Sequence, residues 1–381
     1  MFLNLLQKKQ IKDSLFFPHQ TLAQKKAFAL NFPTNKTESF SYLNLKNLQQ
    51  QHFDFHSSSY FISSDCKSIE ILTLAKALEK YGLLISNRME KVQKENKSFF
   101  SLVNQGWTED VYCIFVNSSV EEVITIQEEF LADQKLIFPQ LQFFIGKGVK
   151  ATFHHKIKVS GKDNFINRSL YISLEKGAEI LSFETPSLER ENTVFSHTEA
   201  YLKRDSIYTH KSAVGGCKLF RNEIKTYLLE ENATANLEGF WNGSKDDSLH
   251  YHVHCSHLAE HTNSKQHYQG VLEESSRASF EGQIYVDKIA QKTDSYQLSK
   301  HLLIGDEARG FSKPNLEVFA DDVIASHGAT ISTLNEEELY FLTSRGIDKA
   351  KAEGLLKQGF LTFFLDTIKD QSVLESFKEL I

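Results

Sequence analysis

Pro314-Asn-Leu-Glu-Val-Phe-Ala-Asp-Asp-Val-Ile-Ala-Ser-His-Gly-Ala-Thr330 is where the reading of this chain turns. Upstream of it apolar residues recur with period two. Downstream they recur with the helical period. Val323, Ala325 and His327 share one face of the extended run, and Ile324 and Ser326 take the other. Ser326-His-Gly-Ala-Thr330 is expected to form a Gly-containing bend between strand and helix, with His327 exposed at it. Its imidazole nitrogen could act as a metal ligand or proton acceptor. The alternative is a hydrogen-bonded histidine that fixes the corner.

Working outward, residues 106–330 hold many short strand-like runs: Leu141-Gln-Phe-Phe-Ile145, Leu170-Tyr-Ile-Ser-Leu174, Ile180-Leu-Ser-Phe183, Ile284-Tyr-Val286 and Leu316-Glu-Val-Phe319. A turn followed by alanine recurs at Lys150-Ala151, Gly177-Ala178, Asn232-Ala233, Arg277-Ala278 and Glu307-Ala308. Such stacked turns at irregular intervals suggest a β-solenoid, with a sandwich as the rival. Residues 331–381 read as a small helical domain. Thr333-Leu-Asn-Glu336 has the form of a capping box, Gly346 ends the first helix, and Asp348 caps a second. That second helix carries an apolar stripe through Ala352, Leu355, Leu356, Gly359 and Phe360. Residues 1–105 read as mostly helical, with apolar spacing in Thr21–Leu30 and Ile69–Tyr81 and a break at Asn31-Phe-Pro-Thr34.

The 381 residues suffice for two or three structural units, and 41 % hydrophobic with 24 % charged residues is ordinary for a soluble globular protein. The 30 phenylalanines point to an aromatic core, and five prolines argue against long disordered linkers. A net charge of −6 with no basic domain argues against nucleic acid. The apolar stretch within Met1–Gln10 is broken at Asn4 and ends at Gln7, too short for a signal-peptide core, and no later segment has the apolar length to span a membrane. Cys66, Cys113, Cys217 and Cys255 are widely spaced, without the pairing of a zinc site or disulfide framework. Both observations fit the cytoplasm.

His250-Tyr-His-Val-His254 sets His250, His252 and His254 on one strand face, with Cys255 and His257 on the other. Such a row could bind zinc or iron. The plainer reading is an incidental ladder on a solvated face. Asp246-Asp247 and Asp321-Asp322 are neighbours pointing to opposite faces, so neither makes an acid/base pair. There is no nucleotide loop, no nucleophile elbow and no H-E-x-x-H, and nothing demands an enzyme.

An ordered set of motifs resembles the SufB/SufD family of the SUF iron–sulfur cluster assembly machinery, and within it the SufD branch. The set comprises Phe280-Glu-Gly-Gln-Ile-Tyr-Val286, Gln291-Lys-Thr-Asp294, Leu302-Leu-Ile304, Pro314-Asn-Leu-Glu317, Asp321-Asp-Val323, Ser326-His-Gly-Ala-Thr330 and Tyr340-Phe-Leu-Thr-Ser-Arg-Gly346. Asn31–Tyr42 is similar to the family's N-terminal G-x-P-x-x-R-x-E-x-W-x-Y stretch, with Lys36 and Phe40 in place of arginine and tryptophan. Ser299 stands where SufB carries a cysteine and Gly328 where it carries a glutamate. Ala325 stands where SufD often has a cysteine, so His327 must act alone or with residues of a partner.

The resemblance implies a mainly β protein: a right-handed parallel β-helix core, 106–330, between helical domains at 1–105 and 331–381. It implies a non-enzymatic scaffold that pairs with a SufB-like paralogue and binds a SufC-like ABC-type ATPase through the C-terminal domain, at Tyr340, Phe341, Arg345 and Phe360. His327 would handle iron or the cluster at the paralogue interface. No cofactor would be held stably by this chain alone; iron or an iron–sulfur cluster would be held transiently in the complex with SufB. The rivals are a passive homodimeric β-helix scaffold without a metal role and a carbohydrate-active β-helix enzyme.

Overall fold

In the computed structural model, described for residues 2–9, 17–55, 60–94 and 98–380, the period-two region winds into a parallel β-solenoid of two sheets. Met1 and Gln10 of the N-terminal stretch lie outside the described residues. Strands alternate between the sheets. The first sheet runs from Glu70–Thr73 to Arg309–Val318, and the second from Tyr60–Ser64 to Ile324–Thr333. Pairing is parallel and in register. In the second sheet Lys150 stands beside Glu179, and the file continues through Ile207, Thr234, Asn263, Asp294 and Ile324. The coil length therefore drifts between 27 and 31 residues, which is why the repeat looks irregular in sequence.

One corner of each coil is built alike. Gly148, Gly177, Asp205, Asn232, His261 and Lys292 all have positive φ, a conformation natural to glycine and tolerated by Asn and Asp. Each donates its backbone N–H to the next coil, from Gly148 to Lys176 (2.9 Å) through to Lys292 to Asp322 (2.7 Å). The residue that follows turns inward and is small or β-branched: Val149, Ala178, Ser206, Ala233, Thr262 and Thr293, all buried. Of the turn–alanine pairs read from the sequence, Gly177-Ala178 and Asn232-Ala233 belong to this ladder, while Ala151 and Ala278 lie within strands and Ala308 precedes a strand of the first sheet.

The interior between the sheets is filled by Ile, Val, Leu and aromatic side chains. At two levels a coil that places a large ring inside is matched by a glycine in its neighbour. A Cβ on Gly270 would lie 2.1 Å from the Trp241 ring, and one on Gly239 would lie 2.5 Å from Tyr268. The interior also holds Arg168, bonded to Glu184 (2.7 Å), to Ser196 (2.9 Å) and to Glu128. All four are buried.

The flanks are more closely tied to the solenoid than the sequence suggests. The phenylalanine-rich cluster joins Phe2, Phe32 and Phe100 of the N-terminal segment to Phe165 and Phe195 on the first sheet. Residues 38–42 run across that sheet to its far end: Phe40 lies on Arg221 in its middle, while Glu38 pairs with Lys313 (2.6 Å) and Tyr42 stacks on Phe311 in its last strand. At the other end of the chain, Leu361, Phe364, Val373 and Phe377 pack on Phe183, Phe240 and Val271 of the second sheet. Among the described residues no helix is long and apolar enough to cross a membrane.

Several local expectations fail. Ile69–Tyr81 is not one helix. Glu70–Thr73 is a strand, antiparallel to Val111–Val116, and the helix begins at Leu74 with a kink at Tyr81; β-branched Ile71 and Thr73 suit a strand better. Ser326–Thr330 is not a bend. Gly328 lacks a positive φ, and the strand Ile324–Thr333 runs straight through it, paired with Asp294–Ile304. Thr333 is the last residue of that strand, so the cap of the next helix is Asn335, whose Oδ1 accepts from the Glu337 amide at 2.9 Å.

The ring-on-glycine packing makes a direct prediction. Gly270→Ala should lower the free energy of unfolding by about 1–3 kcal/mol through overpacking. Gly354→Ala, where a Cβ meets nothing within 4 Å on a helix, should be neutral or stabilising by up to about 1 kcal/mol. Denaturant melts of the two variants beside wild type check the contrast.

Candidate functional site

The two sheets end together. Arg309–Val318 and Ile324–Thr333 are terminal strands, each bonded on one side only. At the opposite end the sheets finish in short antiparallel strands, Tyr60–Ser64 and Glu70–Thr73. The open end thus carries two ten-residue edges with free backbone donors and acceptors, a template for pairing. Apolar side chains surround it: Ile324 is 69 % exposed, Phe319 58 % and Ile331 49 %.

His327 sits in the middle of the last strand, not at a corner. It stands beside Gln297, which stands beside Gln266. Both glutamines are buried and are joined by a 2.6 Å bond from Gln297 Nε2 to Gln266 Oε1. His327 therefore tops a file of interior side chains, but lacks a further coil to cover it and is exposed. Ala325 and Ala329 share its face. Under Ala329 lies Ser299, whose Oγ is 2.8 Å from Ser312 Oγ, and Ser312 is 3.0 Å from His301 Nε2. Burial pushes the His301 imidazole down to about 4, so it is neutral at neutral pH. This polar file went unnoticed in the sequence. The signal was present as alternation: Ser295, Gln297, Ser299 and His301 are buried while Tyr296 is exposed and Leu298 and Lys300 are half-exposed.

An iron–sulfur cluster needs several thiolate or imidazole ligands. Cys113, Cys217 and Cys255 are buried, and burial pushes their thiols up to about 12, 12 and 11. They stay protonated, and ligation requires the thiolate. Among the described residues no three His, Cys, Asp or Glu side chains gather as a metal site. His327 is one imidazole at an open edge, not a complete set of ligands.

The histidine row is a correction to both of its readings. His250, His252 and His254 do share the outer face of the first sheet, with Cys255 and His257 inside. They are held apart by strand spacing and tied to serines: His250 to Ser248 and Ser279 (both 2.7 Å), and His254 to Ser256 (2.7 Å). The face is only partly solvated: His250 is fully buried, while His252 and His254 are half-buried. The metal expectation at these three residues is not met.

The C-terminal helices divide in two. Glu336–Thr343 buries none of its residues; Tyr340 is 75 % and Phe341 54 % exposed. The Arg345 guanidinium lies 3.3 Å over the Phe341 ring and donates to the Phe341 carbonyl at 3.1 Å. Phe360, on Lys349–Leu365, instead packs at the edge of the cluster against the second sheet. The expected stripe on that helix is shifted: Ala352 is buried but Leu355 is exposed, and the buried side continues through Leu361, Phe364 and Leu365. Tyr340, Phe341 and Arg345 thus form one exposed group, from which Phe360 is separate.

Comparison with known proteins gives a consistent picture. The family described as "SUF system FeS cluster assembly, SufBD core domain" matches residues 128–360. The chain is 28 % identical over 235 residues to the iron–sulfur cluster assembly protein SufD of Escherichia coli (strain K12), covering 60 % of this chain and 54 % of that protein. It is 30 % identical over 210 residues to the chloroplastic protein ABCI7 of Arabidopsis thaliana, covering 52 % and 43 %. To SufD of Bacillus subtilis (strain 168) it is 38 % identical over 92 residues, covering 24 % and 21 %. The chain spans about half the length, or less, of the curated relatives it matches.

The buried histidines predict a pH dependence. Burial pushes His250 and His257 down to about 3, and His154 and His301 down to about 4. In the unfolded chain these groups titrate near 6.5. Below that pH the unfolded state binds protons that the folded state refuses, so stability falls as pH falls. The loss should begin near pH 6.5, above the carboxylate range, and continue toward pH 4. Each histidine contributes on the order of 1 kcal/mol per pH unit. Melting temperatures measured from pH 8 to 4.5 should be flat above about 7 and fall steeply below 6; a flat curve down to pH 5 would contradict the assignment.

Proposed function

The chain belongs to the SufBD core-domain family and is SufD-like within it, and from that premise we propose that it is a non-catalytic scaffold subunit of iron–sulfur cluster assembly. The observation that carries this reading is the exposed imidazole of His327 on the unpaired end strand. A SufB-like paralogue would add its own end strands to the open edges. It would bring thiolate ligands over His327, which this chain lacks at Ala325 and Ser299. The cargo, iron or a nascent cluster, would then be held between two chains and by neither alone. The absence of any disulfide among Cys66, Cys113, Cys217 and Cys255 supports work in a reducing compartment, the cytoplasm.

A SufC-like ATPase would dock on Glu336–Thr343 through Tyr340, Phe341 and Arg345. Exposed aromatic and arginine side chains are the residue types that anchor interfaces. The next two helices share a core with the second sheet, so a movement at the docked helix has a packed route to the solenoid. For the ATPase to open the end-to-end interface, it must bind the open form more tightly than the closed one. A homodimer without a metal role is the second reading, favoured by the missing thiol at Ala325.

Two variants test these assignments in the co-expressed complex. His327→Ala should leave the melting temperature and subunit composition unchanged and abolish cluster formation, read as iron and sulfide content. Full cluster content with lowered stability would mean that the imidazole serves only the fold. Tyr340→Ala/Phe341→Ala should cost about 2 kcal/mol or more of ATPase affinity without unfolding the chain, because neither side chain is buried. This pair is a cleaner probe than removing 333–381, which would strip Phe183, Phe240 and Val271 of their cover. Unchanged ATPase binding would move the docking site elsewhere.

A further inference from the structure

In-register pairing stacks the outward side chains of the first sheet in rows. One row runs Phe115, Phe144, Ser173, Tyr201 and Tyr227 over successive strands. Phe115 and Phe144 are stacked, with ring centroids 4.9 Å apart and planes 11° from parallel. Tyr201 and Tyr227 are stacked in the same way, at 4.9 Å and 21°. The helix Leu74–Lys94 extends the row at its start. It kinks at Tyr81, whose ring lies 4.1 Å from that of Phe115. These rings form one column, and the column skips a single level, at Ser173.

Paired strands lie about 4.8 Å apart, so Phe144 and Tyr201 are rooted about 10 Å apart, two strand spacings. A ring placed midway would meet each neighbour at the spacing that the existing pairs already have. Solvent reaches this level: Ser173 is half-exposed although the four rings of its row are buried. Phe144, Ser173 and Tyr201 line one cavity of about 680 Å³, and Leu84 and Asn87 line it from the helix. Lys203 and Glu175 stand at one end, two residues beyond Tyr201 and Ser173, and are bonded to each other at 2.8 and 2.7 Å. They offer hydrogen-bonding groups while cancelling in charge, and they are the charged side chains among the described lining residues. Ring walls with a few polar groups at one end are the composition of a small-molecule site.

We propose that this gap is a slot for a small, uncharged molecule built on a flat aromatic ring system. The ring enters as the missing level of the column, with its polar substituent toward Lys203 and Glu175. Offset stacking is the arrangement that aromatic rings prefer, and a slot one ring thick rejects a puckered molecule of the same size. The slot lies on the first sheet, whereas His327 lies on the last strand of the second.

Isothermal titration calorimetry on the full chain tests it with three probes: 2-naphthol, its saturated and puckered counterpart decahydro-2-naphthol, and the flat but charged 2-naphthoate. 2-Naphthol should bind. The saturated alcohol should bind about tenfold or more weaker, having lost two stacked faces, and 2-naphthoate should bind no tighter than 2-naphthol. Ser173→Phe supplies the missing ring, so it should block 2-naphthol and leave the melting temperature unchanged or higher. Phe144→Leu removes one stacking face and should weaken 2-naphthol by about two- to tenfold. Several results would overturn the proposal: no 2-naphthol binding at millimolar concentration, equal binding of the saturated alcohol, or tighter binding of 2-naphthoate. So would wild-type affinity in either variant, or a Ser173→Phe chain that loses stability, which would mean that the level has no room for a ring. Each outcome leaves the cluster-assembly reading untouched, because the measurement uses neither iron nor a partner.

Discussion

Each coil of this molecule is completed by the next. The interior between two parallel sheets has a fixed width, and in-register stacking means that a side chain too large for its own coil must borrow volume from the neighbour. Trp241 lies over Gly270, Tyr268 over Gly239, and the Gln297 amide over the space that a Cβ on Gly282 would take. The same dependence governs polar groups. Gln266 and Gln297 satisfy one another across coils, and Arg168 draws on Glu128 and Glu184 from the facing sheet. A buried charge of this kind is tolerable only because its partners are fixed at the same level. His327 is what remains where the series stops: an interior position with no next coil to complete it.

Much of the fold was legible because the solenoid writes itself locally. Period-two runs such as Leu170–Leu174, and the small residues after each corner, are consequences of a repeat short enough to see. The failures share a cause of another kind. Glycine at 328 and the apolar spacing of Ile69–Tyr81 were read by local preference, and pairing with a distant strand overrode it in both places. The role of His327 as an exposed group was legible through its place near the end of the period-two region and the family motifs around it. The file beneath it was not read, because glutamine and serine at alternate positions look like a polar face until the sheet is known to be folded over them. Which histidines are buried was equally hidden. His250 is covered by residues far away in the chain, and no neighbouring residue announces that.

The terminal segments behave as cladding more than as separate bodies. Glu38, Phe40 and Tyr42 meet Lys313, Arg221 and Phe311 across most of the chain's length, so the faint N-terminal motif acquires a structural meaning as a strap over the first sheet. The last two helices do the same for the second sheet. Among the described C-terminal helices Glu336–Thr343 stands clear, between the end strand and the packed helices, with none of its residues buried.

The unequal ends of the solenoid also make it directional. Short antiparallel strands of five and four residues finish the sheets at one end, while two ten-residue parallel edges finish them at the other. In the language of polymer chemistry the subunit is a monomer with a head and a tail. The head offers two long rows of backbone donors and acceptors and the tail two short ones, so a contact between long edges matches more groups than any contact that uses the short end.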